Sequence, residues 1–114
     1  MTFAEFDAAC RALPAATMDV QWGDDHVYKI GGKMFAVTGP EGKTFSAKFS
    51  DIGFEALTES GRGRPAPYMA RAKWVYFDDL PSLDAAEVAD WLKTAHELVA
   101  AKLTRKLRAE LGLA

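Results

Sequence analysis

The sequence predicts an α+β fold of two layers, a five-stranded antiparallel sheet covered on one face by helices. Three observations carry this expectation. Between Gln21 and Phe49, β-type runs alternate with glycine turns, and the middle turn, Gly31-Gly32, is only two residues long. Such a turn between a Val/Tyr/Ile run and a Phe/Ala/Val run marks a hairpin, because primed turns need positive φ at little steric cost. An amphipathic helical pattern precedes this meander, and a longer one closes the chain. Helices segregated against an antiparallel sheet give a two-layer packing.

Taken in order, Thr2 to Leu13 reads as a helix. Thr2 and Glu5 have the spacing of a capping box, Phe3, Phe6, Cys10 and Leu13 share one face, and Pro14 ends the run. Met18, Val20 and Trp22 alternate with Asp19 and Gln21, which predicts a first strand with one buried face. Strands are expected over His26–Ile30, Lys33–Thr38 and Lys43–Phe49, with Phe35, Val37, Phe45, Ala47 and Phe49 turned toward the helices. Ser50 or Asp51 caps a short helix closed by Gly61, and Gly61 to Pro67 has loop composition. Lys73–Phe77 is the fifth strand. In the final helix, Leu83 and Val88 form a hydrophobic staple around Asp84, with Glu87 reaching back, and an apolar stripe runs on to Leu107.

The 114 residues, 49% of them hydrophobic, suit a single domain over 1–114 with no internal repeat. One cysteine rules out an internal disulfide framework and fits a reducing compartment. No apolar run reaches membrane-spanning length and no leader is visible, so a cytoplasmic protein without a membrane partner is expected. The net charge of −2 argues against a generic polyanion binder, yet its distribution is uneven. Residues 1–61 hold five Lys/Arg and nine Asp/Glu, and residues 62–114 hold nine and seven. That asymmetry permits a local basic patch.

Catalytic signatures are missing. His26 and His96 stand far apart with no partner at metal-ligand spacing, so packed or solvated rings are the ordinary reading, and no metal or cofactor is expected. Cys10 lies on the apolar face of the first helix and reads as a small buried hydrophobe. No phosphate loop, dinucleotide fingerprint or nucleophile elbow occurs. Asp24-Asp25 and Asp78-Asp79 occupy turns, where Asp serves backbone geometry. Arg62 and Arg64, alternating with Gly61 and Gly63, offer guanidinium groups and exposed amides suited to a phosphate or carboxylate, against the plainer reading of a solvated loop. Among the strand aromatics, any that faces solvent beside Lys29, Lys48 or Lys73 can stack a base or a partner side chain.

The chain resembles the MmcQ/YjbR family of small bacterial proteins. The residues that carry this are Leu13-Pro14 followed by Trp22-Gly23, then Tyr28 to Ala36 and the Lys48 strand, Ala66-Pro67-Tyr68 before Lys73-Trp74-Val75, and His96 to Leu103. Their order and spacing, rather than one motif, are the specific part. His96 departs from the pattern, which often has tyrosine there. The resemblance implies a two-layer fold likened to a "double wing" DNA-binding arrangement, and no catalytic residue carries over from it.

The leading expectation is therefore a non-enzymatic cytoplasmic binding protein contacting DNA, weakly and in a salt-dependent way. Its candidate contacts are Lys29, Lys33, Lys43 and Lys48 on the hairpins, with Arg62, Arg64, Arg71 and Lys73 from the loop and fifth strand. The alternative is a chaperone-like protein-interaction module using the open sheet face, and a third is an enzyme acting at the Arg62–Tyr68 loop.

Overall fold

A computed structural model describes residues 1–67 and 69–113. Helix α1 spans Phe3–Arg11, and its capping box forms as the sequence predicts: the Glu5 amide donates to Thr2 Oγ1 at 3.1 Å and the Thr2 amide to Glu5 Oε1 at 2.8 Å. Strands β1 (Thr17–Gln21), β2 (Asp25–Ile30), β3 (Lys33–Thr38) and β4 (Phe45–Lys48) follow. Then come α2 (Asp51–Glu59), β5 (Arg64–Pro65), β6 (Trp74–Phe77), a 3₁₀ turn at Leu80–Ser82, α3 (Ala85–Ala100) and α4 (Arg105–Glu110). Gly31 and Gly32 sit at φ of 59° and 80°, the left-handed values that a two-residue primed turn requires.

The α+β expectation holds, with one strand added. All pairings are antiparallel and the sheet order is β1-β2-β3-β4-β6-β5, six strands instead of five. The extra one, β5, pairs Arg64 with Tyr76 and Pro65 with Val75. Two residues are too few to show a period-two pattern, and their glycine- and proline-rich surroundings read as loop.

The helices cover one face of the sheet. Phe6 and Cys10 from α1, Leu57 from α2, and Val88, Leu92, Ala95 and Val99 from α3 bury against Tyr28, Ile30, Phe35, Phe45, Ala47, Phe49, Val75 and Phe77. Phe45 stacks on Phe77 at 4.7 Å between centroids, and Phe77 stacks on Trp91 at 5.0 Å. The Tyr28 hydroxyl reaches Asp7 at 2.7 Å, so its polar end is satisfied where α1 crosses β2.

Val37 does not face the helices. Tyr28 pairs with Ala36 but Lys29 with Met34, so Phe35 is an extra residue in β3, a β-bulge. Phe35 and Ala36 both join the helix-side core, and every later side chain of β3 changes face. Val37 thus packs on the opposite side with Val27, Trp74 and Ala66, flanked by Met34, Met69 and Tyr76. That face is consequently not an open apolar surface: residues following β5 cover it, and Val27, Val37, Trp74 and Ala66 are all buried.

The final helix is also interrupted. The Asp84 carboxylate caps α3 by accepting from the Glu87 amide at 2.9 Å, but the helix stops at Ala100 and a second begins behind Thr104, whose Oγ1 accepts from the Leu107 amide at 3.1 Å. Leu103, in the break, is buried in the core. His96 lies in the core as well, its Nε2 2.8 Å from the Pro14 carbonyl and its ring edge-on to Phe35.

Phe45 is 1% exposed at the centre of the aromatic stack, whereas Ile52 on α2 is 82% exposed. Phe45→Ala should therefore cost roughly 3–5 kcal/mol in chemical denaturation, and Ile52→Ala should stay within about 0.5 kcal/mol. A cost under about 1 kcal/mol at Phe45 contradicts the packing described here.

Candidate nucleic-acid interface

The antiparallel register assigns each basic candidate to one end of the sheet. The β2–β3 turn, the end of β4, the start of β6 and the α3–α4 break meet at the first end. Lys29, Lys33, Lys48, Arg71 and Lys73 belong there. The β1–β2 turn, the β3–β4 loop, the start of β5 and the end of β6 form the second end, with Lys43, Arg62 and Arg64.

The two groups differ in their partners. At the second end all three cations are held by carboxylates. Lys43 pairs with Glu41 at 3.1 Å, and Arg64 with Asp78 at 3.6 Å while lying 5.0 Å over the Tyr76 ring. Arg62 grips Glu87 in a two-pronged contact at 3.0 and 2.6 Å and lies 5.3 Å over Trp91. The sequence assigns Glu87 to the helix cap; in the structure its carboxylate turns instead to Arg62, whose hydrogen bonds hold it below its ordinary pKa. A fork-to-carboxylate match outweighs a second capping bond because it joins two full charges. The Gly61–Arg64 loop is thus pinned. Hollows of about 70 and 100 Å³ flank it, and Arg62 also borders a cleft of about 300 Å³ with Phe49, Leu57 and Trp91. Tyr68, at the end of the candidate loop, lies outside the described residues.

At the first end the balance reverses. Lys29 pairs with Asp19 at 3.0 Å, but among the described residues no ion pair to a carboxylate engages Lys33, Lys48, Arg71 or Lys73. The Lys48 amine donates to the Ala72 carbonyl. Burial pushes its pKa down, the like charges of Lys102 and Lys73 push in the same direction, and Asp51 opposes them. Lys73 holds a left-handed backbone, φ 63°, and lays its amine 5.1 Å over Phe54. The positive end of the α2 dipole opens just after Lys48, adding to the same field.

Lys102 is the residue that sequence reasoning missed. It reads as one cation among Lys102, Arg105, Lys106 and Arg108 on a solvated helix end. The break that turns it toward Lys48 has no glycine or proline to announce it.

The other chemical candidates are packed groups. Cys10 is fully buried, which drives its thiol pKa far up and leaves it protonated. His26 stands edge-on to Phe3 with centroids 4.9 Å apart. Among the described residues no group of three or more His, Cys, Asp or Glu side chains is placed to hold a metal, and no helix is long and apolar enough to cross a membrane.

The YjbR family model matches residues 11–98. The chain belongs to the YjbR family. A crystal structure of Deinococcus radiodurans protein DR2400, described as a DUF419 domain, superposes with a TM-score of 0.83 at 23% identity, covering 99% of this chain and 89% of that one. This likeness establishes the fold. A search of curated proteins finds no match. All eight basic candidates fall inside the YjbR span, whereas Lys102 lies just beyond it.

Because a neighbouring cation disfavours the protonated form, Lys102→Ala should raise the Lys48 pKa toward its ordinary value, and a bound phosphate should raise it further. Titration of the Lys48 side chain by NMR checks this. No upward movement in Lys102→Ala means the two amines do not share one field.

Proposed function

We propose that this YjbR-family chain is a non-enzymatic, cytoplasmic binding protein that docks on the nucleic-acid backbone, in the first instance duplex DNA, through the basic end of its sheet. One observation carries the reading: Lys48 lies in the field of both Lys102 and Lys73, and among the described residues none of the three forms a carboxylate ion pair, while the cations at the far end are neutralised. Mutual repulsion among unpaired amines is relieved by an anion, and a row of phosphates supplies several. Gly32 has open space where a side chain would stand, so the hairpin tip can approach closely and bring Lys33 to the same backbone.

The contacts available are point charges on flexible stems, which hold phosphates and do not read base edges. Helices α1 and α3 spend their apolar faces on the sheet, and neither is presented as a free element for the major groove. Affinity should therefore be modest, insensitive to sequence and steeply dependent on salt.

Anisotropy titrations of a labelled random-sequence duplex over a salt series test this. The logarithmic slope should be about −0.9 per phosphate contact. Lys73→Ala with Lys102→Ala should flatten it by about 2, and Arg62→Ala with Arg64→Ala should leave it unchanged. The reading fails if no binding occurs at low salt, or if the arginine pair, rather than the lysines, sets the slope.

A further inference from the structure

We infer that the free edge of β1 is a docking strand for an extended, basic and apolar segment of another protein. The site is separate from the basic end and does not depend on the nucleic-acid reading.

The two edges of the sheet are built differently. At one, β5 has two residues, and Pro65 lacks an amide donor, so nothing can extend the ladder there. At the other, β1 runs five residues, Thr-Met-Asp-Val-Gln, and among the described residues pairs only with β2. It contains no proline, lysine or bulge, the usual protections of an exposed edge. Its single charge, Asp19, is drawn onto Lys29 of the adjacent strand at 3.0 Å and so does not guard the edge.

Apolar surface is left uncovered beside this edge. Val20 is 55% exposed and Trp22 is 62% exposed. Trp22 also sits at φ 51°, in the left-handed region, where a bulky side chain is an outlier. The sequence extends the first strand to Trp22, but the structure ends it at Gln21 and holds the indole out at the turn. A strained, exposed tryptophan beside an unprotected edge suits a partner that covers it.

Charge selects the partner. Asp24 and Asp25 follow Trp22 across the turn and, among the described residues, form no ion pair. Asp24 also borders a cleft of about 380 Å³ formed with the β3–β4 loop residues Gly39, Pro40 and Glu41. Lys43 shares this cleft but is already held by Glu41. A second copy fits less well. Its own β1, Thr-Met-Asp-Val-Gln, carries no cation to set against Asp24 and Asp25. A segment with alternating apolar and basic residues adds backbone hydrogen bonds along β1, an apolar contact at Val20 and Trp22, and cations at the acidic turn.

The test uses a fluorescein-labelled hexapeptide of alternating lysine and valine, with one control carrying a central proline and another with glutamate for lysine. The lysine–valine peptide should bind saturably and slow amide exchange across Thr17–Gln21. Trp22→Ala and Val20→Asp should each weaken binding at least tenfold. Both side chains are largely exposed, so both variants should fold, as circular dichroism will verify. The proline and glutamate peptides should lose binding, and Lys73→Ala with Lys102→Ala should not affect it. Four results overturn the inference: no saturable binding, equal affinity for the proline peptide, indifference to both β1 variants, or protection confined elsewhere. A concentration-dependent doubling of mass that Val20→Asp abolishes also overturns it, in favour of a second copy.

Discussion

The basic end gains Lys102 because Leu103 packs against a residue that has no side chain. Gly31 is left-handed at φ 59°, and a methyl group added there would lie 2.8 Å from Leu103 Cδ1 and 3.2 Å from Leu107 Cδ2. The hairpin tip is thus a bare seat for Leu103 from the α3–α4 break and Leu107 from α4. Burying one such side chain contributes about 1.5–3 kcal/mol, enough to favour an interrupted helix over a straight one when Thr104 supplies the new cap. The same contact brings Lys102 into the field of Lys48. A turn glycine, a helix break and a cluster of like charges are one piece of construction.

The bulge at Phe35 makes the second division. By adding one residue to β3 it sends two successive side chains to the helix layer and gives Val37 to the other face, where Val27, Trp74 and Ala66 complete a small second core. The sheet is consequently closed on most of both faces. What it leaves exposed lies around its rim: a cationic end, an end whose charges are largely paired, and the free edge of β1. Those rims are the surfaces the sheet itself can offer a partner.

Much of this was legible in the residues. Thr2 with Glu5, and Gly31-Gly32, each impose a local geometry strong enough to read directly and appear as expected; Asp84 caps α3 as expected, although Glu87 does not reach back. The misses share a cause. Met34 to Val37 are all apolar, so alternation there carries no phase and a bulge leaves no trace. The stripe from Val88 to Leu107 stays in helical register across the break, so only the partner at Gly31 betrays it. Of the eight basic candidates, the sequence could not say which would meet carboxylates, because Glu87 and Asp78 reach Arg62 and Arg64 through the fold and not through proximity in the chain.

The most direct measurement is NMR mapping of the intact protein as a short DNA duplex is added at low salt. If the unpaired amines at the first end form the binding surface, amide and lysine side-chain shifts should concentrate at Lys33, Lys48, Lys73 and Lys102, leaving Lys43, Arg62 and Arg64 unmoved. Shifts centred on Arg62 and Arg64, or no shifts at all, would contradict the account.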